Sequence, residues 1–393
     1  MNKFDPLHVV FAGGGTAGHL FPGLAVAEQL ACRLPQVRIT FVGSGKAFER
    51  RHVAASAFEY LAVPCRPLPR NAGQAISFIV HNLAGYLAAG RFLKEEQVDV
   101  VVGLGGYASV PAARAAKRRG VPLVLLEQNA VPGRATRWLA RGAAFARGAQ
   151  LVCAAMAETR SALRCRCPVH VTGNPIRDAF QLHLSRHRRC EKAFSPISRS
   201  TAHRLVVLGG SGGAQSLNES VPRALYKTRR RLTGWQIIHQ SGEAGLERTR
   251  ELYRKLDLRA TVAAFIDGLP RLLTATDLAV CRAGGTTLAE LAAAGVPAVL
   301  LPYPHAADDH QRRNAKVYAD AGGAVALDGR ELSGRLDDHL ADVLSELLDD
   351  PGRRAGMVAA MGRLARPRAA SDVAERIIEV VGHSAEQSAP RAA

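Results

Sequence analysis

Short apolar, β-branched runs alternate with longer helical patterns along the whole chain. In the first half the runs are HVVFAG, RITFVG, VDVVVGL, VPLVLLEQ and AQLVCAA, each followed by a segment rich in Ala, Leu and Arg. Alternation of this kind predicts parallel strands joined by crossover helices. The pattern breaks near residue 178, where the stretch from Gln181 to Arg204 is basic, Ser-rich and without clean periodicity. It restarts with RLVVLGGSGGAQSLNES and continues through WQIIHQSG, ATVAAFI, DLAVCRAGG and PAVLLPY. The expected architecture is α/β, with two doubly wound domains over 1–177 and 204–366 separated by a basic linker or insertion over 178–203. A last helix is expected over 367–383 and a disordered polar tail over 384–393. At 393 residues the chain exceeds the size at which a single core keeps growing, so two cores are the natural division.

Both halves open with a strand, a glycine loop and a helix: VVFAGGGTAGHLFPGLAVAEQL and LVVLGGSGGAQSLNESVPRAL. Such a loop exposes backbone N–H groups at the positive end of a helix dipole, which suits phosphate. Gly13, Gly15 and Gly18 satisfy GxGxxG, but no acid ends the second strand, where a dinucleotide ribose needs one. Gly43, Ser44, Gly45 and Lys46 stand there instead, and the first acid beyond them is Glu49. NAD is therefore disfavoured, while Arg38 leaves NADP open. Gly43 to Ala47 reads GSGKA, yet Thr40 replaces the leading glycine of a P-loop and Ala47 its magnesium-binding hydroxyl, which argues against ATPase chemistry. No Asp-x-Asp pair occurs, so diphosphate charge falls to backbone dipoles and cationic side chains, and neither a metal nor a cofactor is expected.

Three further clusters carry candidate chemistry. The loop Gly209 to Gly213, with Ser211, fits a diphosphate, and equally fits a turn that only lets strand and helix pack. Gly284, Gly285, Thr286 and Thr287 precede a helix with Glu290 expected in its first turn. That arrangement suits a phosphate and a ribose diol, or a plain N-cap with an acid complementing the dipole. His305, Asp308, Asp309, His310 and Gln311 crowd one loop at a strand's carboxyl end, as do His19, Tyr107 and the run Glu127, Gln128, Asn129 in the first half. Imidazole, with an unperturbed pKa near ~6.5, suits a general base. His19 could instead cap carbonyls, and Tyr107 could pack.

The formal charge of +18, from 52 Lys and Arg against 34 Asp and Glu, favours nucleic acid, anionic lipid or phosphorylated substrates. Nucleic acid is not expected, because no recognisable module or interleaved aromatics accompany the charge. The seven cysteines are scattered, and Cys165 and Cys167 lack zinc-site spacing, so they read as reduced thiols. Neither export nor a spanning helix is expected, since there is no signal-peptide core and no run of ~20 apolar residues. The apolar helical pattern from Ala75 to Lys94 has Arg66 and Arg70 upstream and Arg91 and Lys94 at its end. It suits an anionic membrane surface or an ordinary buried crossover helix, because periodicity does not tell which face is wet.

Taken in order, GGGTAGHLFPG, GGYASVP, LLEQNAVPG, TGNPIR, GGSGGAQSLN, AAFID and CRAGGTTLAELAAAGVPAVLLPYPHAADDHQRRNA resemble the MurG family of glycosyltransferases over residues 8 to 383. The resemblance implies a GT-B architecture of two Rossmann-like domains facing across a cleft, with the last helix returning to the first domain. It implies an inverting transfer of GlcNAc from UDP-GlcNAc to the 4-hydroxyl of the lipid I muramyl residue, giving lipid II for peptidoglycan synthesis. The implied location is peripheral, on the cytoplasmic face of the bacterial inner membrane. The alternative is another GT-B enzyme using a UDP-sugar, such as a glycolipid synthase or a UDP-GlcNAc epimerase.

By the family pattern Ile266 offers backbone groups to uracil, Arg177 approaches the nucleotide and Ser211 contacts the diphosphate. Gly285, Thr286, Thr287, Leu288, Ala289 and Glu290 wrap diphosphate and ribose; Gln311 and Asn129 bond the sugar hydroxyls; Thr16, Ala17 and Gly18 close the phosphate side. The lipid-linked acceptor belongs to the first domain near His19, Tyr107 and Glu127, with His19 the candidate base and Glu127 the alternative. Departures are Gly212 in place of a frequent Gln, Leu126 where some relatives carry His, and His310 in place of another frequent Gln.

Overall fold

The computed structural model describes residues 6–69, 71–141, 148–177, 203–210, 212–332 and 335–388, with side chains to 383. It divides into two units, one of residues 1–177 with 367–393 and one of residues 178–366. The 178–202 part of the expected linker, Ser211 and Arg70 lie outside the described residues. His203 does not belong to the linker, because it begins a strand and pairs with Trp235.

The first unit is a seven-stranded sheet in the order β3-β2-β1-β4-β5-β6-β7, parallel throughout. Its strands are β1 (His8–Ala12), β2 (Arg38–Gly43), β3 (Glu59–Ala62), β4 (Val100–Gly103), β5 (Leu123–Glu127), β6 (Leu151–Ala154) and β7 (Val169–Val171). The connecting helices are α1 (Ala17–Arg33), α2 (Ala47–Ala55), α3 (Ala75–Glu95), α4 (Val110–Arg119), α5 (Arg134–Arg141) and α6 (Ala157–Ala162). The central strands are buried on both faces, as crossover helices require. Phe11 and Phe41 stack across β1 and β2 with centroids 5.0 Å apart.

The second unit repeats the plan with six parallel strands in the order β10-β9-β8-β11-β12-β13. These are β8 (His203–Leu208), β9 (Trp235–Gln240), β10 (Thr261–Ala263), β11 (Leu278–Cys281), β12 (Ala298–Leu300) and β13 (Ala324–Ala326). Its helices are α7 (Gln215–Lys227), α8 (Leu246–Lys255), α9 (Leu269–Leu273), α10 (Gly285–Ala294), α11 (His310–Asp320), α12 (Leu336–Asp349) and α13 (Pro351–Leu364). The final helix, α14 (Ala369–Ser388), belongs to the first unit: Val373, Ala374 and Ile377 are buried with Leu20 and Leu24 of α1, and Arg33 donates to the Ser371 hydroxyl at 2.6 Å. The helix runs on through residues expected as tail, to Ser388.

In both units strand order reverses beside the first strand, between β1 and β4 and between β8 and β11. Ligands of doubly wound sheets bind outside the strand carboxyl ends at such a switch point. The glycine loops after β1, β4, β8 and β11 follow the strands that flank these switch points.

Candidate functional site

In the first unit, Thr16 occupies the N-cap of α1 without a side-chain cap, and Ala17 and Gly18 begin the helix. His19 follows in the first turn, its Nδ1 3.0 Å from the Thr16 hydroxyl. The ring lies against the loop after β4, and a Cβ added to Gly105 would meet His19 Cδ2 at 3.0 Å. With φ +93 at Gly105, the GLGGY cluster is a seat for this imidazole, and Tyr107 follows directly. Gln128, buried at the end of β5, donates to the Leu104 carbonyl at 3.0 Å and steadies the same loop.

Glu127 is buried, and its carboxylate is engaged by its own loop. One oxygen accepts the Asn129 N–H and side-chain amide, both at 3.1 Å, and the other accepts the Gly133 N–H at 2.9 Å. This side chain shapes the 127–133 turn and fixes Asn129. Arg177 packs its guanidinium 4.4 Å from the Phe21 ring centroid.

The GSGKA segment also finds its role here. Glu49, fully buried, accepts from the Ser44 hydroxyl at 2.8 Å, the Gly45 N–H at 3.0 Å and the Tyr60 hydroxyl. The groups that a P-loop aims at phosphate are thus aimed at a carboxylate. Lys46 is left exposed, donating to the Gly15 carbonyl at 3.3 Å with its Nζ 5.8 Å from the Tyr107 ring centroid.

In the second unit α10 starts at Gly285 with Gly284 as N-cap and no side-chain cap. Neither Thr286 nor Thr287 is the cap residue, so the plain capping reading does not hold. Glu290 consequently lies in the second turn rather than the first, because the helix begins earlier than a threonine cap would start it. Thr286 and Glu290 are both buried. The loop after β8 closes tightly: at Gly213, with φ +75, an added Cβ would meet the Ser241 carbonyl oxygen at 2.2 Å, so only glycine fits. Gln311, in the first turn of α11, accepts the Tyr303 N–H at 2.9 Å. Asp308 and Asp309 before it are both left-handed, at φ +52 and +55. Arg330 bonds Asp309 at 2.9 Å and Asp328 at 3.1 Å, latching that strained loop.

Sequence reasoning missed three features of this unit. Arg282, directly after β11, donates to the carbonyls of Leu301 and Pro302 at 2.8 and 3.0 Å and to the Ser216 hydroxyl at 2.6 Å, tying the loop after β12 to the first turn of α7. Gln240, at the end of β9, bonds Gly210 and the Ile266 N–H. Beneath the same loop Tyr253, His239, Asn218 and the Ser241 carbonyl form a buried chain with every link at 3.0 Å. Because the Asn218 amide donates to a carbonyl, its oxygen accepts from His239 Nε2–H, and Nδ1 accepts from Tyr253. Only CRAGG carried a signal, in a cation placed directly after a buried apolar strand.

Desolvation pushes the His239 imidazole down from 6.5 to about 4. The unfolded chain therefore binds a proton that the folded chain refuses, and the stability held above pH 6.5 is lost as pH falls toward 4, by roughly 3 kcal/mol in all. Urea denaturation should show the stability gap between the parent and His239→Gln narrowing from pH 7 to pH 4.5. Parallel profiles would contradict the assignment.

Two Rossmann-like units with glycine loops at their switch points are the build of nucleotide-sugar enzymes of the GT-B class. The chain matches the glycosyltransferase family 28 N-terminal domain over residues 9–146 and the glycosyltransferase family 28 C-terminal domain over residues 204–375. A relative from Anaeromyxobacter sp. (strain K), a UDP-N-acetylglucosamine--N-acetylmuramyl-(pentapeptide) pyrophosphoryl-undecaprenol N-acetylglucosamine transferase, is 38% identical over 95% of this chain and 93% of its own length. One of the same name from Geobacter sulfurreducens is 36% identical over 95% and 97%. The crystal structure of Acinetobacter baumannii MurG aligns with a TM-score of 0.71 at 30% identity, over 95% of this chain and all of that one. The chain belongs to the MurG branch of glycosyltransferase family 28. A Neisseria meningitidis UDP-GlcNAc 2-epimerase, at 13% identity and a TM-score of 0.65 over 95% of this chain and 100% of that one, shares the fold alone.

Proposed function

We propose that this chain transfers N-acetylglucosamine from UDP-N-acetylglucosamine to the 4-hydroxyl of the muramyl residue of a polyprenyl-diphosphate acceptor. The product is lipid II for peptidoglycan synthesis. The observation that carries this reading is the 38% identity to a transferase of that name over 95% of the chain. Backbone groups of Ile266 take the uracil; Gly285 to Glu290 take diphosphate and ribose, with Ser211 and Arg177 on the nucleotide; Gln311 and Asn129 bond the sugar. Thr16, Ala17 and Gly18 present the first amides of α1 to phosphate. Tyr107 receives the acceptor, and Lys46 beside it supplies a cation suited to the acceptor's diphosphate.

His19 is the general base. Its ring is half-buried on the seat made by Gly105 and Gly106, whereas both Glu127 oxygens already accept N–H groups of their loop. His19 removes the proton of the attacking hydroxyl in a single displacement, and the UDP leaving group gathers charge that preorganised amides at the starts of α7 and α10 stabilise. Displacement at an α-linked donor yields a β-1,4 bond. Proton NMR of the anomeric signal of the product tests this: a large β coupling is expected, and a retained α linkage would overturn the single-step mechanism.

The same reading places the enzyme on an anionic membrane surface, at the cytoplasmic face. Among the described residues no helix is long and apolar enough to cross a membrane. Helix α3 instead buries a small-residue face, Gly85, Ala89 and Gly90 with Leu93, and leaves Ile76, Ile79, Val80, Leu83 and Leu87 between 50% and 76% exposed. Those five fall on one stripe at helical spacing, with Arg91 and Lys94 at the end of the helix. An apolar stripe beside cations suits insertion among anionic headgroups. In vesicle sedimentation the pair Ile79→Glu and Leu83→Glu should weaken binding at least about tenfold, with turnover on a water-soluble acceptor kept. Unchanged binding would remove α3 from the membrane contact.

A further inference from the structure

Gln240 is 5% exposed and has no part in the roles given above. Its carboxamide is engaged at both ends: Nε2 donates to the Gly210 carbonyl at 3.0 Å, and Oε1 accepts the Ile266 N–H at 3.1 Å. These partners fix which end of the amide is oxygen. Its main-chain carbonyl accepts the Gly209 N–H at 3.2 Å as well. One buried residue therefore joins the loop after β8, proposed above for the diphosphate, to the residue beyond β10 proposed above for the base.

We infer that Gln240 is a positioning residue that sets the uracil selectivity of the donor site, by holding the Ile266 peptide in register with the diphosphate loop. The inference rests on the proposed role of Ile266 toward the base. Uracil offers a carbonyl acceptor at O4 and a donor at N3–H, and cytosine reverses both. The Ile266 N–H is given to Gln240, so the reading group is the Ile266 carbonyl: held in one orientation it accepts N3–H of uracil and is left facing a lone pair at N3 of cytosine. A peptide able to turn loses that distinction. Backbone pairing of this segment reaches only the Ala264 carbonyl, which accepts the Gly242 N–H at 3.1 Å, and Ile266 lies beyond it. The side chain of Gln240 supplies the restraint there.

Titration calorimetry of UDP and CDP on the full chain, with steady-state kinetics on UDP-GlcNAc and a short-chain acceptor, tests this. For Gln240→Leu the expected result is about tenfold weaker UDP binding and about a tenfold fall in the UDP-to-CDP affinity ratio. KM for UDP-GlcNAc rises in step, while kcat at saturating donor stays within about twofold. Gln240→Glu keeps an acceptor for Ile266 but sets a second oxygen against the Gly210 carbonyl, so it weakens UDP and CDP alike and keeps the ratio. Should the leucine variant not fold, Gln240→Asn, one methylene too short to span both partners, carries the same expectation. A parental ratio in a folded leucine or asparagine variant overturns the inference, as does equal loss of the ratio in the glutamate variant. The parent chain's own preference for UDP over CDP tests the base-reading role separately.

Discussion

Replacing His19 with alanine should lower kcat by about a thousandfold, the usual worth of a positioned general base, while KM for UDP-GlcNAc stays within about threefold. The imidazole sits in the first turn of α1, its Nδ1 3.0 Å from the Thr16 hydroxyl, and packs so closely on Gly105 that a Cβ added there would meet its Cδ2 at 3.0 Å. A base that must be neutral to act imposes a fall in kcat on the acid side, and His19→Ala should lose that fall. Glu127→Gln provides the contrast. An amide in that position sets a donor against one of the N–H groups of Asn129 or Gly133, so the 127–133 turn is disturbed. Thermal stability and activity should drop together in that variant, with the acid-side fall preserved. If instead Glu127→Gln flattens the pH profile and His19→Ala does not, the base is Glu127.

The second large effect is expected at Arg282. Half-buried, it bonds two carbonyls and a hydroxyl, and its guanidinium lies 5.5 Å from the Tyr303 ring centroid. No carboxylate pairs with it among the described residues' ion pairs, so it places a cation between the loop after β12 and the start of α7, both proposed to receive the donor. Arg282→Met removes three hydrogen bonds and the charge at once, and kcat/KM for UDP-GlcNAc should fall by about a hundredfold or more. Arg282→Lys should recover little, since a single ammonium cannot span two carbonyls and a hydroxyl in the geometry of a planar fork. Full recovery by lysine would reduce Arg282 to a point charge.

The two-unit fold was legible because its central strands are buried on both faces and read as continuous apolar runs between glycine turns. The strands that escaped sequence reading, β3, β7 and β13, lie at sheet edges, are three or four residues long and are only partly buried, so no such run marks them. The wet side of α3 was equally hidden. Its stripe of Ile, Val and Leu reads as core until Gly85 is found pressed against the Pro64 carbonyl on the opposite face.

Among the proposed site residues, the glycine loops were visible as motifs and Gln311 as part of a polar loop, and Ile266 and Arg177 only through the family pattern. Glu290 was expected one turn too early, because a threonine cap looks as good in sequence as the Gly284 cap that the helix adopts. Arg282, Gln240 and the His239 chain depend on partners 66, 26 and 21 residues away in sequence, a distance that no local pattern spans. Glu127 was visible as polar density but not as a loop brace, since its partners are backbone N–H groups that every residue type carries.

The most direct measurement follows radiolabel from UDP-[14C]GlcNAc in the presence and absence of a short-chain lipid I analogue. The account predicts label in a GlcNAc–muramyl lipid only when acceptor is present, with one UDP released per transfer. Conversion of the sugar nucleotide without acceptor, or no transfer to acceptor by the folded chain, would contradict it.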